Sequence, residues 1–231
     1  MQAVILAAGR GTRMGALTET VPKPLLEVCG KTLLEYQFDA LPEEIDEVIV
    51  VVGYMGSVIQ QKYGGFYKER KIFYVEQDVL DGTAGALWRA KDLLHDRFVV
   101  MMSDDIFARE DIEKCIDMTD GWTELVGEVE DMKWGGNVEF DSQHRIQSIT
   151  EGKHSGRGHI GTNFFVLDTR LFESELVPKA EGSPEYGLPQ TIIKASAEQG
   201  VPFYAVIAKQ WIQISDPEDL KKAEEILEDR V

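Results

Sequence analysis

Apolar runs of strand length, separated by stretches with helical spacing, constrain this chain more than any other feature. Ala3-Val4-Ile5-Leu6-Ala7, Glu47-Val48-Ile49-Val50-Val51-Val52-Gly53, Ile72-Phe73-Tyr74-Val75 and Phe98-Val99-Val100-Met101-Met102 are almost unbroken by polar residues. A strand with one wet face alternates, whereas a continuous run suits a parallel sheet covered on both faces. Between the runs, Thr32-Leu33-Leu34-Glu35 has the spacing of a capping box and opens a helix to about Leu41. Residues 57–63 read as a short helix closed by Gly64-Gly65. Residues 83–94 read as another, with Leu87, Ala90, Leu93 and Leu94 on one face. Such alternation predicts a parallel sheet with right-handed crossovers.

Beyond Met102 the pattern loosens. Residues 123–130, 137–140, 145–150 and 162–167 read as strands of mixed polarity, and 203–208 as a further strand. Residues 188–199 form a helix ending at Gly200, and 217–227 a closing helix with Pro217 in its first turn. There is no repeat, low-complexity segment or evident linker.

Ligands on parallel sheets sit outside the carboxyl ends of the strands. That places three features on one rim: the loop after Ala7, the turn after Val75, and Asp104. The first is Gly9-Arg10-Gly11-Thr12-Arg13-Met14-Gly15. Its glycines let backbone N–H groups approach anionic oxygens, and Arg13 adds a planar donor fork. Pro22-Lys23-Pro24 follows, an ammonium between two stiff residues. A dinucleotide fingerprint would need glycine where Met14 stands, and a P-loop needs a Gly-Lys-Ser/Thr end that is absent.

Net charge is −17, which argues against nucleic acid and anionic membranes as partners. Residues 8–31 run the other way, with Arg10, Arg13, Lys23 and Lys31 against Glu19 and Glu27. A positive island in an acidic chain suits a small polyanion. Two cysteines in no metal-like spacing, with no signal peptide or long apolar segment, point to a cytoplasmic setting.

Leu6-Ala7-Ala8-Gly9-Arg10-Gly11-Thr12-Arg13-Met14 followed by Pro22-Lys23-Pro24-Leu25 resembles the signature of the sugar-nucleotide nucleotidyltransferases, or nucleoside-diphosphate-sugar pyrophosphorylases. The resemblance covers nearly the whole chain. It implies one α/β nucleotidyltransferase domain over 1–231, with a Rossmann-like, GT-A-like, mostly parallel mixed sheet flanked by helices. A nucleotide-binding half would span about 1–108 and an acceptor-binding half about 109–231. No hexapeptide repeat signals the β-helix that some relatives carry. By resemblance, Leu6, Ala8, Gly9, Gly11, Thr12 and Arg13 contact the nucleotide, as do Gln77, Gly82 and Thr83 in Glu76-Gln77-x-x-x-Asp81-Gly82-Thr83-Ala84. The resemblance also implies that Asp104 binds Mg²⁺ and the nucleotide and that Arg13, Lys23 and Asp104 are catalytic.

The family's second metal carboxylate falls on Gln213 in Trp211-Ile212-Gln213-Ile214-Ser215-Asp216-Pro217, with Asp216 as the other candidate. On the acceptor side, Gly136, Glu151, Lys153 and Thr162 match the glycine, glutamate, lysine and Thr-containing motifs, though Gly152 is inserted before Lys153 and Asn163 follows rather than precedes Gly161. His144, His154 and His159 lie in polar surroundings and read as solvated surface. The implied reaction joins a nucleoside triphosphate to a sugar 1-phosphate, releasing pyrophosphate. Three alternatives stay open: a cytidylyltransferase for phosphocholine or another non-sugar phosphate, a glycosyltransferase using Ser103-Asp104-Asp105, and a non-catalytic nucleotide sensor. Self-association is left open.

Overall fold

The computed structural model describes residues 1–228. The chain enters through β1 (Gln2–Ala7), two 3₁₀ turns (Thr12–Thr18 and Lys23–Leu25) and the small hairpin of β2 (Glu27–Val28) and β3 (Lys31–Thr32). Then come α1 (Leu33–Ala40), β4 (Glu47–Val52), α2 (Gly56–Tyr63), β5 (Phe66–Tyr67), β6 (Arg70–Glu76), α3 (Thr83–Arg89) and β7 (Arg97–Met102). The second half runs β8 (Ile106–Phe107), α4 (Arg109–Asp117), β9 (Trp122–Val129), β10 (Trp134–Phe140), β11 (Ile146–Lys153) and β12 (Gly158–Asp168). It closes with α5 (Leu188–Gln199), β13 (Phe203–Ile207), β14 (Trp211–Ile212) and α6 (Pro217–Glu228).

Local chemistry sets several boundaries. The Thr32 hydroxyl accepts from the Glu35 N–H at 3.2 Å, and the Glu35 carboxylate accepts from the Thr32 N–H at 2.8 Å, completing the expected capping box. α2 stops at Gly64, whose φ of 59° favours glycine. The helix expected over 83–94 breaks instead. α3 ends at Arg89 and a 3₁₀ turn covers Lys91–Leu93. Tightening to three residues per turn rotates Leu93 off the core face, and it is exposed. α4 goes unread in the sequence because only Ile112, Cys115 and Ile116 punctuate a charged stretch, yet their spacing is helical and all three are buried.

The main sheet has ten strands, and its longest path is β11-β10-β12-β7-β1-β4-β6-β5. β1 lies parallel between β4 and β7, and β6 extends β4 in parallel. β12 is antiparallel to β7, while β9 pairs β12 on its other edge and carries β13 in parallel. Every residue of β1 is buried, as the unbroken run requires. Ala3, Ile5 and Ala7 pack under α1 and α4 with Leu34, Phe38, Ile112 and Cys115. Val4 and Leu6 face α3 and α5 with Leu87, Leu188 and Ile192. The carboxyl ends of β1, β4, β6 and β7 therefore share one rim.

The C-terminal segment returns to that rim. β14 pairs β8 just beyond β7. The fully buried Asp111 carboxylate accepts from the Lys209 and Gln210 N–H groups at 2.7 and 3.0 Å and pairs with Lys114 at 2.6 Å. Both cysteines are unpaired, Cys115 buried and Cys29 exposed. No described helix is long and apolar enough to cross a membrane. Asp111→Ala would remove a buried carboxylate and the acceptor of two part-buried backbone donors. It should cost about 3 kcal/mol in urea unfolding. A loss below about 1 kcal/mol would show that this carboxylate does not hold the segment.

Candidate active site

The glycine loop leaves β1 and turns back across the rim. Gly11 is left-handed at φ 62°, and a Cβ there would lie 2.9 Å from the Lys23 Cβ, so a side chain would displace the lysine stem. The Thr18 hydroxyl donates to the Gly11 carbonyl at 3.1 Å, and buried Met14 anchors the turn. Gly53 presses against the Ala8 backbone while Tyr54 donates its N–H to the Ala8 carbonyl at 3.0 Å. Above this support, Gly9, Arg10, Thr12 and Arg13 are exposed and line a cleft of about 380 Å³. The Arg10 guanidinium rests 5.3 Å from the centre of the Tyr54 ring.

Lys23 crosses the floor of the cleft and is buried. Its ammonium donates to Asp104 Oδ2 and to the Ile214 carbonyl, both at 2.6 Å. An ammonium has three donors, so one is left for a ligand. The Ile214 N–H in turn donates to Asp105 Oδ1 at 3.3 Å, and the Trp211 indole N–H to Asp105 Oδ2 at 2.9 Å. Burial, and after it the charge of Asp104, pushes the Asp105 carboxyl up to about 8, against the pull of the Trp211 and Ile214 bonds and of Lys23. Asp105 thus fastens the C-terminal segment while Asp104 faces the cleft. The sequence reading gave Asp105 no such part; the signal was a second carboxylate directly after a buried strand.

The opposite wall is the 77–84 turn. The Gln77 amide donates to Asp81 Oδ1 at 2.8 Å and to the Gly82 carbonyl at 3.1 Å. Both partners are acceptors, which fixes the amide orientation and leaves its oxygen as the group to meet a ligand. Gly82 has φ 100°, and a Cβ there would lie 2.3 Å from the Tyr186 carbonyl oxygen. Tyr186 accepts from the Ala84 N–H and donates to the Asp81 carbonyl, and the Thr83 hydroxyl accepts from the Leu188 N–H. The Ala84 N–H at this helix start is therefore already used. The strapping segment brings Lys179 and Glu185 onto the cleft rim. Neither is marked in the sequence, because they arrive on irregular chain far from any motif.

Acceptor-side residues are placed differently. Gly136 and Glu151 are cross-strand partners on the β10–β11 hairpin, and a Cβ on Gly136 would come 3.1 Å from Glu151 Oε1. Lys153 is exposed, 5.8 Å from the Trp134 ring, and does not line the cleft. Thr162 is buried and its hydroxyl donates to the Leu125 carbonyl at 2.7 Å, so it shapes a β-bulge instead of facing a ligand. His154 is half-buried and its Nε2 lies 3.1 and 3.0 Å from the Gly135 and Thr150 carbonyls, correcting its reading as plain solvated surface.

The same holds for the second metal position. Asp216 caps α6, accepting from the Glu218 and Asp219 N–H groups at 2.8 and 3.1 Å. Gln213 is exposed, and Ser215 is the residue of that segment that lines the cleft. Among the described residues no three His, Cys, Asp or Glu side chains gather as a metal site. Asp104 fits Mg²⁺ as a single carboxylate, with phosphate oxygens needed for the remaining shell.

A family model described as nucleotidyl transferase matches residues 2–230. The chain belongs to that family. Its relatives include the UTP–glucose-1-phosphate uridylyltransferase AglF of Haloferax volcanii, 29% identical, with 99% of this chain and 97% of that protein covered. A D-glycero-alpha-D-manno-heptose 1-phosphate guanylyltransferase of Aneurinibacillus thermoaerophilus is 28% identical over 99% of both. The bifunctional protein GlmU of Methanocaldococcus jannaschii is 28% identical over 100% of this chain and 55% of its own length, so the chain spans about half of that relative. Among solved structures, a Bacillus anthracis protein crystallised with a sucrose superposes with a TM-score of 0.81 at 26% identity, covering 99% of this chain and 96% of that one. The sheet seen in this nucleotidyltransferase is that of its family, as the motifs implied.

The strap makes a sharp demand at one residue of the nucleotidyltransferase. Gly82→Ala places a methyl group against the Tyr186 backbone at a φ that disfavours side chains. The turn must shift, and KM for the nucleotide should rise about tenfold or more, since small displacements of a binding loop cost that much. An unchanged KM would show that the turn does not touch nucleotide.

Proposed function

We propose that the chain joins a nucleoside triphosphate to a sugar 1-phosphate. The observation that carries this is the convergence on one cleft of the glycine loop with Arg13, the buried Lys23 beside Asp104, and the Gln77–Gly82 turn. An acceptor phosphate oxygen attacks the α-phosphorus. The bond to the β-phosphate oxygen breaks, and pyrophosphate leaves with that oxygen. No nucleophilic side chain is needed, because positioning and charge neutralisation dominate phosphoryl chemistry.

Each residue then has a distinct task. Arg13, exposed on the loop, neutralises charge building on the leaving pyrophosphate. Lys23 offers its remaining donor to the α-phosphate and the incoming acceptor phosphate. Gln77 presents its amide oxygen to the base. Asp104 and the nucleotide's phosphates would hold Mg²⁺, which supplies charge that draws phosphate oxygens together.

The test is pyrophosphate release from a panel of triphosphates and phosphorylated acceptors, run with Mg²⁺ and with chelator. Turnover with a sugar 1-phosphate, lost on chelation, is expected. Turnover restricted to phosphocholine, or binding of nucleotide with no turnover at all, would contradict the reading. Arg13→Ala in the same assay should lower kcat on the order of 10²–10⁴-fold. A change of only a few-fold would remove Arg13 from the chemistry.

A further inference from the structure

Four cationic side chains line the cleft: Arg10, Arg13, Lys23 and Lys179. Three of them belong to the glycine loop and the Pro22-Lys23-Pro24 stretch. Arg10 rests on the Tyr54 ring, Arg13 stands exposed on the loop, and Lys23 gives two of its three donors to Asp104 and Ile214. Lys179 has another origin. It comes from the irregular chain between β12 and α5 and is exposed, and among the described residues no ion pair or side-chain hydrogen bond engages its ammonium. The chain has 41 acidic against 24 basic side chains, so a lysine left unpaired in a cleft is a point of attraction for an anion.

A lysine on a free loop would be solvated surface, but this backbone is held on both sides. Pro178 and Tyr186 form an antiparallel bridge. Beside it the Lys179 N–H donates to the Glu185 carbonyl at 2.8 Å, and the Gly187 N–H to the Val177 carbonyl at 2.9 Å. Toward α3, the Tyr186 N–H donates to the Asp81 carbonyl at 2.6 Å and its carbonyl accepts from the Ala84 N–H at 3.1 Å. Toward α5, the Val177 N–H donates to the Thr191 hydroxyl at 3.1 Å. Lys179 and Glu185 are thus cross-strand neighbours that both line the cleft, yet no ion pair joins them and the ammonium stays free.

The reaction itself says where a further cation is wanted. In an in-line displacement the attacking and leaving oxygens lie on opposite sides of the phosphorus. With pyrophosphate leaving along the glycine-loop wall and Arg13, the acceptor phosphate enters from the facing wall. It is an anion approaching a triphosphate, and the one remaining donor of Lys23 is shared with the α-phosphate. Lys153, expected on the acceptor side, lies by the Trp134 ring and does not line the cleft. Lys179 is the cation that the facing wall offers.

We propose that Lys179, in place of Lys153, binds the acceptor's phosphate and holds it for in-line attack. The proposal deepens the reading of the chain as a sugar-1-phosphate nucleotidyltransferase and rests on it. Because the strap is bonded to the 81–84 turn, one stretch of backbone sets the acceptor phosphate and the nucleotide in register.

The experiment compares Lys179→Ala, Lys179→Arg and Lys153→Ala with wild type, measuring KM for acceptor and triphosphate separately, kcat, and the urea midpoint. The acceptor is the sugar 1-phosphate that wild type turns over best. Lys179→Ala should raise acceptor KM by roughly tenfold to a hundredfold, as expected for a lost hydrogen bond between charged groups, with triphosphate KM and the midpoint unchanged. Lys179→Arg should recover most of that loss, because the charge and its donors are kept. Lys153→Ala should leave both constants as in wild type. An acceptor KM unmoved by Lys179→Ala overturns the proposal, as does a loss confined to Lys153→Ala. Equal rises in both constants overturn it too, since they place Lys179 on the triphosphate or on the turn. Failure of the parent reading looks different: wild type turns over no sugar 1-phosphate. If phosphocholine is turned over instead, the same variants measured on phosphocholine decide this proposal separately, and no turnover with any acceptor overturns both.

Discussion

A buried ammonium organises this active site. Lys23 is withdrawn from water and holds the Asp104 carboxylate and the Ile214 carbonyl at 2.6 Å each. Removing a charge from solvent costs several kcal/mol unless it is well paired, so neither partner is dispensable once the other is in place. The consequence is topological. One side chain joins the loop after β1, the end of β7, and a segment close to the C-terminus. Asp105 completes the junction from the other side by accepting from Ile214 and Trp211. The cleft opens over this point, with Lys23, Asp104 and Ser215 in its lining.

Around that junction the two walls are held differently. The glycine-loop wall is backed by Met14 and Thr18 within the loop and by Tyr54 from the turn after β4. The facing turn is held from far away in sequence, by Tyr186 and Leu188 against residues 81–84. The first and second halves of the chain are thereby tied together by backbone bonds, so a shift of the 77–84 turn is passed to the segment carrying Lys179 and Glu185.

The sequence disclosed the parallel core and the residues of the glycine-loop wall because both are written in local code. Unbroken apolar runs, a capping box at Thr32, and glycines beside Arg13 each state their physics within a few residues. The segment expected on the acceptor side is not local. The bulge at 161–164 depends on where β10 and β7 meet β12, and nothing in Gly161-Thr162-Asn163 reveals that the Thr162 hydroxyl is turned to Leu125. Asp216 illustrates the same limit. A carboxylate ahead of Pro217 is as good a helix cap as a metal ligand, and the α6 N–H groups decide the matter.

The central claim is that Lys23 assembles the site by tying the C-terminal segment to the end of β7. Hydrogen exchange across residues 209–216 in Lys23→Met, set against wild type, tests it most directly. The account predicts much faster exchange at the Ile214 amide and its neighbours, with β1 and β4 protected as before. Unchanged protection of that segment would contradict it, and would leave Lys23 as a surface for phosphate with no part in building the cleft.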